Sequence, residues 1–106
     1  MKKVKIDAGI CGFTTVVTAE SEDGQIVTLD IKSGCENVMA MAKELNEQEE
    51  LDAFSICLSK PVSGAVYEAA RLCRHNACPV PCGIIKCIEA ECSLALPKNV
   101  SIEFID

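Results

Sequence analysis

Phe13-Thr-Thr-Val-Val-Thr-Ala-Glu20 and Gln25-Ile-Val-Thr-Leu-Asp-Ile-Lys32 are two β-branched, alternating runs separated by Ser21-Glu22-Asp23-Gly24. Alternation at period two marks strands with one buried face. The four-residue spacer carries the turn chemistry that joins antiparallel strands. A hairpin follows, with Val27, Leu29 and Ile31 on its inner face. Upstream, residues 3–8 alternate too, Val4, Ile6 and Ala8 against Lys3, Lys5 and Asp7. The N-terminal third is therefore predicted to form a three-stranded antiparallel sheet.

Downstream the period changes. Ser33-Gly34 opens a helix over about residues 35–47, where Val38, Met41, Ala42 and Leu45 recur at helical spacing. Asn46-Glu-Gln-Glu-Glu50 reads as a solvated helix end. Residues 52–58 read as a strand stopped by Pro61, and Ser63 as the N-cap of a short helix carrying Val66, Ala69, Ala70, Leu72 and Cys73. Pro79 and Pro81 suit only the first turn of a last helix, running to about Glu91. Beyond Pro97, residues 99–105 read as a closing strand. No repeat or linker divides the chain, so residues 1–106 are predicted to be one α+β domain, two or three helices packed on one face of the sheet and a C-terminal strand.

Composition limits the function. At 106 residues a single domain buries roughly two thirds of its unfolded surface and holds a core without staples. The aromatics are few, Phe13, Phe54, Tyr67 and Phe104, so that core is aliphatic and partly cysteine. A net charge of −6 leaves no basic patch for nucleic acid. No apolar run reaches membrane-spanning length. Lys5 and Asp7 interrupt any signal-peptide core at the N-terminus. The expected compartment is the cytoplasm, where thiols stay reduced, rather than the secretory route of a disulfide-stapled mini-protein.

The chemistry lies in eight cysteines, at positions 11, 35, 57, 73, 78, 82, 87 and 92. No Cys-x-x-Cys occurs, so neither a zinc knuckle nor a thioredoxin-like pair is present. Register brings distant members together. With the turn centred near Asp23, paired positions sum to about 45 to 47, which sets Cys11 opposite residues 34 to 36. Cys11 and Cys35 should thus meet at one end of the sheet. Cys35 falls in the first turn of a helix, whose free N–H groups stabilise a thiolate. Cys78 stands at the N-cap region of the last helix and Cys82 one turn in. On a helical wheel Ile84, Ile85, Ile88 and Cys92 share the buried stripe, and Cys82 faces away from it.

Cys11, Cys35, Cys78 and Cys82 are accordingly the candidate cofactor-binding residues, with Cys73 the fifth candidate metal ligand. Cys92 and Cys57 are expected to be buried, inert thiols. Cys87 has no assigned role. His75, the sole histidine, is expected to be a solvated loop residue, although Cys73-x-His75-x-x-Cys78 offers it as a fourth donor. Tyr67, Lys86 and the carboxylates form no acid–base pair, and no glycine-rich phosphate loop is present. No catalytic residue is assigned.

The run Leu72-Cys-Arg-His-Asn-Ala-Cys-Pro-Val-Pro-Cys-Gly-Ile-Ile-Lys-Cys-Ile-Glu-Ala90, with Asp7-Ala-Gly-Ile-Cys-Gly12 and Ser33-Gly-Cys-Glu-Asn37, resembles a small family of uncharacterised cysteine-rich proteins of anaerobic bacteria and methanogens. That resemblance covers most of the chain and implies no established activity. Gly34-Cys-Glu-Asn37 and Asn76-Ala-Cys-Pro79 are also similar to the motifs of the TSCPD domain, although Asn37 follows Glu36 without an intervening glycine and Val80 replaces an aspartate. The TSCPD likeness implies that Cys11, Cys35 and Cys78 converge, on a metal.

Two functions follow. Clustered thiolates select iron–sulfur clusters, zinc or copper(I) over hard cations, so the leading expectation is a soft-metal or iron–sulfur protein. The alternative is a thiol-based redox or sulfur-transfer protein with a low-pKa cysteine at a helix N-terminus. The expected partner is the metal or cluster, with no nucleic acid and no membrane. A protein partner is not specified, and a homo-oligomer remains compatible.

Overall fold

The computed structural model describes residues 1–106. Strands β1 (Lys2–Asp7), β2 (Thr14–Glu20) and β3 (Ile26–Ser33) form the predicted antiparallel meander. The turn between β2 and β3 is stapled by side chains. Asp23 Oδ1 accepts the N–H groups of Gln25 and Ile26, each at 2.9 Å, and Ser21 Oγ accepts that of Gly24 at 2.9 Å. Gly24 supplies the positive φ of 76° that closes it. Val17 pairs with Ile31 and Ala19 with Leu29, a register sum of 48 rather than the expected 45 to 47, because the turn centres one residue later.

The sheet has four strands, not three. β4 is Leu51–Asp52, paired with Val27 and Ile26. The strand predicted over 52–58 is instead helix α2 (Ala53–Cys57). The reason is local: Asp52 Oδ1 caps the Phe54 N–H at 2.9 Å, and Ala53 and Ile56, three apart, face the core.

Helix α1 (Glu36–Asn46) matches the predicted span and buries Val38, Met41, Ala42 and Leu45 against β3. Helix α3 (Ala65–Ala69) runs into a 3₁₀ turn at Ala70–Leu72. Its N-cap is Gly64 at φ 91°, not Ser63, whose hydroxyl is turned onto the Lys60 carbonyl. Helix α4 (Val80–Glu91) starts with prolines as expected and lies across β1 and β2. Its Gly83 permits that approach, since a Cβ there would stand 2.3 Å from Ile6 Cδ1.

One core unites the inner sheet face with α1 and α4. Val17, Met41, Leu45, Ile84, Ile88 and the Cys87 side chain are all fully buried in it. Each large aliphatic residue of that set contributes about 1.5–3 kcal/mol by leaving water. The opposite sheet face exposes Lys3, Lys5, Thr28, Asp30 and Lys32.

The closing strand expected at 99–105 does not join the sheet. Residues 99–106 make no backbone hydrogen bond and are exposed throughout. Alternation specifies which face a strand would show but not which edge it can reach. After α4, Ser93 turns the chain through φ 59°, and Leu94 and Ala95 both donate to the Glu89 carbonyl. No helix of the molecule is long and apolar enough to cross a membrane.

Candidate functional site

A pocket of about 120 Å³ opens where the β1–β2 loop, the start of α1 and the segment before α4 come together. Four cysteines line it: Cys11, Cys35, Cys73 and Cys78. Each arrives by a different local device. Cys11 lies in the loop after β1, between Gly9 (φ 90°) and Gly12 (φ 77°), where Gly12 N donates to the Gly9 carbonyl at 2.9 Å. The cysteine is exposed there and belongs to no ladder, so its place on the same pocket as Cys35 comes from the loop rather than from cross-strand pairing.

Cys35 is the N-cap of α1, in extended backbone geometry, and its thiol makes no capping hydrogen bond. The backbone is fixed instead by Ser33, whose Oγ accepts the Cys35 N–H at 3.1 Å. That leaves the sulfur to the pocket. Cys73 ends the 3₁₀ turn, donating its N–H to the Ala70 carbonyl at 2.9 Å. Cys78 closes the following turn with its N–H on the His75 carbonyl at 3.2 Å.

Burial pushes the Cys73 thiol up to about 11, and the neighbouring Cys78 and Cys35 thiols push in the same direction. The Cys73 sulfur therefore stands near those of Cys78 and Cys35. Arg74 and His75 also line the pocket, as do Phe13, Val38 and Asn37. Sequence reasoning did not single out Arg74, although its place directly after Cys73 was the available signal.

Thiols are the kind of donor a soft cation takes. As they stand, no three Cys, His, Asp or Glu side chains are grouped closely enough to hold a metal ion. Coordination would require the thiols to close inward, and the glycine-flanked Cys11 loop is the segment best built for it.

The remaining thiols stand elsewhere. Cys82 is exposed on the first turn of α4 and lines no part of the pocket. Cys87, fully buried, lies 3.3 Å from the Lys2 carbonyl oxygen and 3.6 Å from that of Val17. Cys57 and Cys92 are neighbours near the other end of α4. Burial, with Glu89 and Cys92 adding to it, pushes Cys57 up to about 11. Burial also raises Cys92. Cys92 is buried as expected, whereas Cys57 is only half-buried. A second, wider depression of about 520 Å³ lies between α1 and α3, where Arg71 is already paired to both carboxylate oxygens of Glu44. It holds no thiol.

The sequence match agrees with this thiol-rich architecture in assigning no activity. The chain belongs to the DUF6951 family, a family of unknown function. The family match runs over residues 2–104 and so takes in the pocket, the core and nearly all of the C-terminal segment. No curated protein and no solved structure matches the chain.

Proposed function

We propose that this protein is a cytosolic binding module for a soft metal or an iron–sulfur cluster, held by Cys35, Cys73 and Cys78 with Cys11 as the fourth donor. The observation that carries the reading is the convergence of four cysteines from three separate segments on one 120 Å³ pocket. Packing alone gives no reason for it. The volume also favours an inorganic occupant, because pockets for organic cofactors and drug-sized ligands run to about 300–1,000 Å³. Burial and the neighbouring Cys78 and Cys35 sulfurs hold back ionisation of Cys73, and a bound cation would offset that cost by stabilising the thiolate. The TSCPD-like motifs around Cys35 and Cys78 support the same grouping. Cys82 is the weakest member of the set expected from sequence, standing exposed outside the pocket.

Metal analysis of protein purified without oxygen tests the proposal, together with its visible spectrum. Sulfur-to-iron absorption identifies a cluster, and stoichiometric zinc without colour identifies a mononuclear site. Protein that holds no metal as purified, and takes up neither zinc nor cadmium under reducing conditions, refutes it.

The redox alternative rests on the closeness of Cys73 to Cys78 and on the uncapped Cys35 thiol at a helix start. There, two thiols would yield two electrons and two protons to an oxidant and form a disulfide. One pocket thiol alkylated rapidly well below neutral pH, in metal-free protein, favours it over the metal site.

A further inference from the structure

We propose that residues 99–106 are a pairing strand for a second copy of this chain, docking on the free edge of β1 to give an exchanged dimer. The segment Asn99-Val-Ser-Ile-Glu-Phe-Ile-Asp106 has strand periodicity without a sheet. Val100, Ile102, Phe104 and Ile105 are 63, 91, 98 and 93% exposed, and none of the segment's backbone groups is paired within the chain. Leaving large apolar side chains and a run of peptide groups in water gives folding nothing, whereas adding them to a sheet satisfies both. The family match extends to residue 104, so the segment belongs to the domain.

The occupant of the segment's apolar face is argued from β1. That strand pairs only with β2, so its outer row of N–H and C=O groups is unpaired, the usual template for strand addition. Its inward residues Val4 and Ile6 are only half-buried, although they pack against the core. On β3, by contrast, Val27, Leu29 and Ile31 are already buried to 3, 7 and 3% exposure, and nothing remains there for a new strand to cover. Charge agrees as well. β1 presents Lys3 and Lys5 on its outer face, and the segment carries Glu103 on the face opposite Val100, Ile102 and Phe104. An antiparallel register that sets Ile102 against Ile6 sets Phe104 against Val4 and Glu103 against Lys5. Apolar meets apolar inside for these two pairs and Glu103 meets Lys5 outside, while Ile105 falls on the outer face opposite Lys3.

The segment leaves α4 beside the start of β1, since Glu91 Oε1 lies 3.2 Å from the N-terminal nitrogen. A cis return onto its own β1 from that point would run parallel to it. The antiparallel register described here belongs to a two-fold pair in which each copy lends its segment to the other.

Light scattering of the full chain at tens of micromolar tests this, beside a chain ending at Lys98. The full chain is expected to be a dimer and the shortened one a monomer with unchanged circular dichroism, because residues 99–106 support nothing within their own copy. Glu103→Lys should weaken the dimer about tenfold, counting both symmetric interfaces, and Lys5→Glu added to it should restore most of the loss. A monomeric full chain, or a dimer that survives the deletion, overturns the proposal. If the shortened chain aggregates, the charge pair decides: failure of Lys5→Glu to rescue Glu103→Lys overturns it equally.

Discussion

Thr15 Oγ1 donates a 2.8 Å hydrogen bond to Ser33 Oγ, directly across the β2–β3 ladder. Thr15 is the one buried polar residue of the molecule, at 1% exposure, and it lines the thiol pocket. Ser33 Oγ accepts the Cys35 N–H as well, so a single oxygen links a buried hydroxyl to the backbone that presents a pocket thiol.

Ser33→Ala removes that oxygen and leaves the Thr15 hydroxyl without its partner. Destabilisation of about 1–3 kcal/mol is expected by chemical denaturation, the cost of an unpaired buried donor. Thr15→Val removes the buried donor itself and leaves Ser33 on the Cys35 N–H, so it should stay within about 1 kcal/mol of the parent. Metal affinity should separate the two as well: Ser33→Ala loses the support of Cys35 and weakens about tenfold or more, as losses of groups behind a ligand do, whereas Thr15→Val keeps that support. Equal stability of the two variants would remove this bond from the account.

Gly83 is fixed by packing rather than by backbone angle. A methyl group there would meet Ile6 at 2.3 and 2.6 Å from Cδ1 and Cγ1. Ile6 is β-branched on a strand, so it cannot swing aside through a single torsion. Gly83→Ala should therefore cost about 1–3 kcal/mol of overpacking, against about 1 kcal/mol gained in helix propensity. Ile6→Ala in the same chain should recover part of the loss. A Gly83→Ala variant more stable than the parent would show that α4 moves off β1 freely.

Alkaline pH should destabilise the reduced, metal-free protein. Burial holds Cys73 and Cys57 up at about 11 against an ordinary 9.0. Below pH 9 both states keep these protons and stability is unaffected. Between 9 and 11 the unfolded chain ionises first, so stability falls with slope set by the extra protons the folded state retains. At pH 10 the loss is on the order of 1 kcal/mol for each thiol. Cys57→Ala should flatten that slope relative to its own neutral-pH stability. In metal-loaded protein the share due to Cys73 should vanish, because a ligating sulfur is already ionised. An unchanged slope in Cys57→Ala would contradict the raised ionisation of that half-buried thiol.

The parts of this molecule legible in its sequence are those set by local period. The β2–β3 hairpin, α1 with Val38 and Leu45 inward, and the outward phase of Cys82 all follow from alternation or helical spacing. What was not legible depended on competition between local signals or on reach. Asp52 could begin a strand or cap a helix, and its bond to Phe54 decides for the helix. The segment at 99–105 carries a strand's pattern, yet pattern contains no term for which edge lies within reach. The pocket was half legible: Cys35 and Cys78 are marked by the helices they precede, whereas Arg74 reaches the pocket through the 73–78 turn, which has no periodicity to read.

The pocket assignment predicts different outcomes for cysteines that look alike in sequence. Serine is a poor ligand for a soft cation, so Cys35→Ser, Cys73→Ser and Cys78→Ser should each abolish stoichiometric zinc or cadmium uptake. Cys82→Ser should leave uptake intact, because that thiol is exposed on α4 and lines none of the pocket. Cys11→Ser removes the loop donor, and water can take its place, so affinity should fall while one equivalent still binds. Cys92→Ser, at a position with 7% exposure, should do the reverse of the pocket variants: unchanged uptake with a stability loss of about 1–3 kcal/mol from the buried hydroxyl. Uptake measured by cadmium–thiolate absorption across these six variants checks the set. Loss of binding in Cys82→Ser, with binding retained in Cys73→Ser, would move the site out of the pocket and onto the surface of α4.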